Sequence, residues 1–287
     1  MRGTFRWLWL AASIGFTLFS SAVSPAQSLQ IEWHKRLLTI RGEHLPAPVT
    51  VNYLEAYCRP GSTDRDWKET VIPHQSKLLS AHADKTRIEI EDRLEDGVVV
   101  RHVITAGTDA IDFRLTAHNP TRVESQAHWA QPCVRVGPYT GCGRKDAWEL
   151  YPKYIRQSFL FVDGRAVFLP TEPWAKKARY TPGQVYCPPR VDRNDVNPRP
   201  LSSVVPSNAL VGCYSADRKQ LMAIAFVPCQ EIFQGVIACL HSDIRIGGLK
   251  GGETKEIRGK IYFLPADIDA LLTRYRKDFP RDRFGQP

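Results

Sequence analysis

Between residues 88 and 136, strand-like alternation, an Asn-Pro turn and a histidine–tryptophan pair follow one another, and the two-residue period of the alternating runs limits the fold more than any other feature of the chain. Over residues 111–118, Ile111, Phe113, Leu115 and Ala117 share one face, while Asp112, Arg114, Thr116 and His118 share the other. Residues 98–104 repeat the pattern. A strand of this kind is half buried in an antiparallel sheet whose polar face stays open. Arg114 and His118 on that face are candidate contacts for a hydroxyl-rich ligand, which needs donors and acceptors in directional arrays. Further strand-like runs lie at 31–33, 38–41, 49–58, 87–94, 159–162, 166–169, 209–214, 222–227, 233–241 and 255–264, with Asp96-Gly97 and Asp163-Gly164 as turns. A dozen strands with almost no helix predict an all-β protein, a large antiparallel β-sandwich. The exception is the C-terminus. There Ile268, Leu271, Leu272, Tyr275 and Phe279 recur at helical spacing between Pro265 and Pro280, predicting a short helix over 267–279 that packs on the sandwich and solvates Arg274, Lys277 and Asp278.

Arg2 and Arg6 stand before the apolar run 7–19, and Ser20, Ala22, Ser24 and Ala26 follow it, which is the residue order of a secretory signal peptide. Residues 1–26 are therefore read as a leader, and 27–287 as one β-sandwich domain of a secreted or periplasmic protein. Stable membrane insertion after leader removal is not expected, since no later segment approaches the length of a bilayer span. The net charge of +9 is dispersed along the chain rather than gathered into runs, which argues against a nucleic-acid partner. It leaves a mild attraction to anions, and in that compartment an acidic polysaccharide is the fitting partner.

Seven cysteines in an oxidising address permit bridges but leave one over. Cys213, Cys229 and Cys239 lie among apolar residues, where a thiol behaves as a small core hydrophobe. The chain has no close Cys-x-x-Cys and no His-x-x-x-His, so the spacing predicts no metal site, and no cofactor is expected. Residues 180–208 hold six prolines and the cluster Asp192, Arg193, Asn194, Asp195 and Asn197, too polar and broken for a strand or helix. Trp174, Tyr180 and Tyr186 give this stretch anchors, so it is read as a functional loop, with oxygens on Asp192, Asn194 and Asp195 that suit calcium.

Two segments carry a family likeness. Residues 109–129, DAIDFRLTAHNPTRVESQAHW, hold a strand, a Pro-Thr turn and a histidine–aromatic pair; residues 235–263, GVIACLHSDIRIGGLKGGETKEIRGKIYF, read as closing strands around a glycine-rich turn. They resemble the galactose mutarotase-like superfamily, the β-supersandwich of aldose 1-epimerases and of domains in several polysaccharide lyases and glycosidases. The resemblance implies a carbohydrate-active supersandwich, with His128 where epimerases place a substrate-binding histidine, here preceded by Ala127 instead of asparagine. Leu240-His241 stands where they carry a leucine and a catalytic glutamate. Their proton-donating histidine finds no convincing match in the middle of this chain.

The resemblance further implies that His128 and His241 share one concave face. Histidine suits proton transfer because its unperturbed pKa is about 6.5. The chain is thus expected to cleave or modify a polysaccharide with His128, His241 and Tyr186 as acid–base groups, while Arg114, His118, Trp174 and Asn197 hold substrate. In elimination from a uronate, Arg114 would neutralise the carboxylate. Hydrolysis would instead need two carboxylates, for which Glu231 and Asp243 are candidates. The alternatives are a non-catalytic carbohydrate-binding module and an epimerase-like protein. Trp129, opposite to His128 by alternation, is read as a core residue.

Overall fold

The computed structural model describes residues 28–63, 65–142, 151–172, 184–197, 201–235 and 238–284, with the backbone alone for 151–153. The leader expected over residues 1–26, Trp174 and Tyr180 lie outside the described residues. The first strands are β1 (Gln30–His34), β2 (Leu37–Arg41), β3 (Val49–Cys58), β4 (Val71–Ile72), β5 (His74–Ala81), β6 (Arg87–Leu94), β7 (Val99–Ala106), β8 (Ala110–His118) and β9 (Trp129–Arg135). They are followed by β10 (Ser158–Val162), β11 (Arg165–Phe168), β12 (Val185–Tyr186), β13 (Val211–Tyr214), β14 (Gln220–Val227), β15 (Cys229–Gly235), β16 (Cys239–Arg245) and β17 (Thr254–Pro265). The helices are short: α1 (Trp67–Thr70), α2 (Gly137–Thr140), α3 (Tyr151–Arg156) and α4 (Ile268–Asp278).

The strands form two antiparallel sheets. The first runs β1-β2-β3-β9-β16-β15-β12 with β4 on β3, and the second runs β11-β10-β13-β14-β17-β8-β7-β6-β5. Alternation explains the layering, because the apolar residues of both sheets meet in one core: Val49, Val51 and Val134 from the first, Phe113, Leu115 and Ile261 from the second. Asp163 and Gly164 both have positive φ and close the β10–β11 hairpin, as their sequence predicts.

Three expectations are corrected. The apolar run 233–241 is not one strand but the turn of a hairpin, with Gly235 paired to Cys239. Within the proline-rich stretch, Val185 and Tyr186 find a backbone partner in β15 and form a two-residue strand. The charged side of α4 is engaged rather than merely solvated: Arg274 pairs with Asp109 at 3.1 Å, and Asp278 with Lys260 at 3.1 Å while accepting from the Tyr262 hydroxyl.

A buried polar network joins the sheets. Asp92 on β6 accepts from the Tyr57 hydroxyl at 2.6 Å and lies 3.1 Å from His102 Nε2, and Tyr53 meets the other ring nitrogen of His102 at 2.9 Å. Burial by itself would raise the Asp92 pKa, but His102 and the hydrogen bonds outweigh it and hold the carboxyl down at about 2.

Packing inside the core leaves little room. Gly259 on β17 lies between Phe226 and Phe113 of the flanking strands, and a Cβ there would overlap the Phe226 ring. Gly259→Ala is therefore expected to cost about 1–3 kcal/mol by overpacking, read as a lower urea midpoint at unchanged m-value.

Candidate functional site

The residues proposed from sequence do not converge as expected. Arg114 and His118 are on the outer face of the second sheet, where Arg114 pairs with Asp112 at 3.2 Å and His118 hydrogen-bonds Thr254 at 2.9 Å. Their face is a solvated ladder of self-paired side chains, and it lies across the sandwich from the histidines. Tyr186 belongs to the core, fully buried, with its hydroxyl donating to Gln184. Strand alternation sets it on the opposite face of the first sheet from its neighbour Val185, which pairs with Phe233 beside His241. Tyr186 is therefore out of reach as an acid for a ligand over that outer face. Asn197 is buried, and its backbone N–H is held by both carboxylate oxygens of Glu231, at 3.1 and 2.9 Å.

His128 and His241 are also apart. Ile246 and Gly247 donate to the His128 carbonyl, so His128 stands at the far end of β16, five residues beyond His241. At a rise of about 3.3 Å per residue that is roughly 16 Å, too far to share a substrate atom. His241 is wholly buried at the centre of the sheet, stacked on Phe233 at 4.1 Å, with Nε2 3.3 Å from Cys239 Sγ and Nδ1 3.4 Å from Asp243. Burial opposes its imidazolium, but Cys239 and Asp243 overcome that and raise its pKa to about 10. Asp243 and Glu231, the candidate carboxylates, are fully buried on the adjacent strands β16 and β15. Glu231 anchors the loop through Asn197.

His128 is the accessible group, its side chain one-quarter exposed. Its backbone is clamped between sheet elements: its N–H donates to Cys58, and its carbonyl accepts from Ile246 and Gly247. The ring Nδ1 is 3.1 Å from Asp195 Oδ2, which also accepts from Arg245 at 2.9 Å, and Arg245 in turn donates to Gln230 at 2.7 Å. A carboxylate held by arginine only accepts, so Nδ1 carries the proton and Nε2 of the neutral ring keeps its lone pair. Asp195 comes from the proline-rich loop. It engages His128 and Arg245, while the Asp192 carboxylate accepts from the Asn194 N–H.

The space before His128 is shaped by Gly247 and Gly248, both with positive φ. A Cβ on Gly248 would stand 3.3 Å from His128 Nε2, and one on Gly247 would stand 3.4 Å from Lys255 Nζ and 3.6 Å from Arg245 Nε. The His128 imidazole therefore borders Gly248, while Lys255 and Arg245 border the adjacent Gly247, with Lys255 Nζ donating to the Ile246 carbonyl. Burial lowers the pKa of Lys255, helped by the positive charges of Arg245 and Arg190. Arg190 also lines a cavity of about 870 Å³ with Arg258, Arg281 and Arg283. Sequence reading missed Arg245, Lys255 and the glycine pair as a site, although all four lie in the second segment of family resemblance.

No protein-family model matches the chain, and no curated sequence does. Among solved structures it is similar to a galactose mutarotase-like protein from Lactobacillus casei ATCC 334, at 9% identity over 82% of this chain and 99% of that one, with a TM-score of 0.41. A protein from Synechocystis sp. PCC 6803 is similar at 7% identity over 88% and 99%, with a TM-score of 0.48. An α-mannosidase from Enterococcus faecalis V583 is similar at 7% identity over 88% of this chain and 30% of that one, with a TM-score of 0.44. The partial resemblance to galactose mutarotase-like proteins is one of fold alone, and no residue role is taken from it.

Proposed function

We propose that the chain is an extracytoplasmic carbohydrate-active enzyme that holds an acidic glycan over Gly247 and Gly248 and transfers a proton through His128. The observation that carries this reading is that His128 Nε2 borders Gly248 while Arg245 and Lys255 border the adjacent Gly247. Lys255 and Arg245 would neutralise a uronate carboxylate, which lowers the cost of charge building up when the neighbouring C–H loses its proton. His128 Nε2 takes that proton, Asp195 stabilises the imidazolium, and the ring returns the proton to the departing oxygen on the same face of the sugar. The extracytoplasmic address is supported by the leader-like order of residues 1–26. A second reading, a binding module without turnover, is favoured by the complete burial of His241, Glu231 and Asp243.

The test is incubation with a panel of acidic and neutral polysaccharides, following unsaturated-product absorbance and reducing ends together. Absorbance with new ends supports elimination. New ends without absorbance, or binding of acidic glycan with neither signal, overturns it, the latter in favour of the module. Lys255→Gln is expected to weaken binding of an acidic oligosaccharide about 10- to 100-fold, the worth of one charged hydrogen bond, while leaving a neutral oligosaccharide unaffected. Titration calorimetry at two salt concentrations checks this.

A further inference from the structure

The centre of the first sheet holds a group of side chains that the proton-transfer site does not use. Cys133 on β9 faces His241 on β16, and Cys239 comes from two residues before His241 on the same strand. The two sulfurs and a ring nitrogen lie within 4.8 Å of one another, and all three residues are buried. We propose that Cys133, Cys239 and His241 form a binding site for a borderline-soft divalent cation of the zinc class.

Three observations support the assignment. The donor set of two thiolates and one imidazole is one that zinc takes readily, at about 2.3 Å to sulfur and about 2.0–2.1 Å to nitrogen. A tetrahedral centre with those bond lengths sets sulfur and nitrogen about 3.6 Å apart, and Cys239 Sγ and His241 Nε2 stand at 3.3 Å. The nitrogen facing the sulfurs is Nε2, while Nδ1 faces the Asp243 carboxylate, so the ring is held as metal-bound histidines are, with the far nitrogen on a carboxylate that fixes its orientation. Gly235 completes the cradle, because a Cβ at that position would overlap Cys239 Sγ. Charge also balances: two thiolates neutralise one divalent cation in a place where an uncompensated ion would be costly. The ion would tie β9 to β16, and its binding would release the protons of its ligands.

The experiment uses the full chain purified with its thiols reduced, measures bound metal by elemental analysis, and then adds cobalt(II) as a coloured stand-in for zinc. The wild type is expected to hold about one ion per chain and to show thiolate-to-cobalt charge-transfer absorption. Cys133→Ser should lose both the absorption and the rise of Tm with added zinc, and Cys187→Ser, a buried thiol outside the group, should keep both. Absence of cobalt uptake by the reduced wild type overturns the proposal. So does a Cys133–Cys239 disulfide found by mass spectrometry in protein isolated from the periplasm. The readout is metal content and thiol state, so the result stands whether or not the chain turns over a glycan.

Discussion

Replacing His128 with alanine is expected to lower turnover of an acidic glycan by about 10²- to 10⁴-fold, the usual contribution of a positioned general acid–base group, or roughly 3–5 kcal/mol of barrier. Binding should change far less, because Lys255 and Arg245 remain to hold the carboxylate. The fold should survive, since His128 is tied into the sheet by its own main chain, with its N–H on Cys58 and its carbonyl on Ile246 and Gly247. Circular dichroism and the thermal midpoint would verify this before any kinetics. Added imidazole should restore part of the lost rate, because a small base can occupy the vacated space, and a merely structural histidine would show no such rescue. Turnover within a few-fold of wild type would remove His128 from the chemistry and leave the site a binding surface.

Asp92→Ala should have the largest effect on stability. Removing one partner of a buried charged pair typically costs about 3–5 kcal/mol, because the groups left behind keep their desolvation cost without their contact. Here the Tyr57 hydroxyl and His102 Nε2 would both lose Asp92. The same carboxyl predicts a pH dependence. Its folded pKa of about 2 lies below the ordinary 3.8, so ionised Asp92 stabilises the fold fully above about pH 3.8, and that stability is lost as pH falls toward 2. The difference is worth about 2 kcal/mol. Urea unfolding of wild type and Asp92→Asn at pH 5 and near pH 2 should show the gap between them narrowing by about that amount. A gap that stays constant would mean that the carboxylate is not the ionised partner of this network.

Much of the fold was legible because strand pairing leaves a local record. The runs predicted at 49–58 and 87–94 coincide with β3 and β6, and the predicted C-terminal helix contains α4. The failures came where tertiary context overrides the local pattern. The run 233–241 reads as one strand, yet it folds back on itself because each half finds its own partners, β15 pairing with β12 and β16 with β9. Strand β9 was not predicted as a strand, since Trp129, Gln131, Cys133 and Arg135 present no polar, solvent-facing alternation when both faces of the strand are covered.

The site was legible only in fragments. His128 was singled out by a short resemblance, and Asp195 by its place in a polar cluster. Nothing in the order of residues joined them, because Asp195 is 67 positions away and reaches His128 only when the proline-rich loop folds over the sheet. Cysteine spacing likewise cannot show that Cys133 and Cys239 meet, since a search within one segment does not see residues brought together by the pairing of β9 with β16. By itself, then, the sequence determined the all-β class, the strand faces and the C-terminal helix, all of which follow from side-chain periodicity within a few residues. Only the tertiary structure decided which residues meet. It sent Arg114 and His118 to one side of the sandwich and Tyr186 into its core, and it brought His128 and Arg245 together on Asp195, because strand order and register act between segments that local periodicity cannot connect.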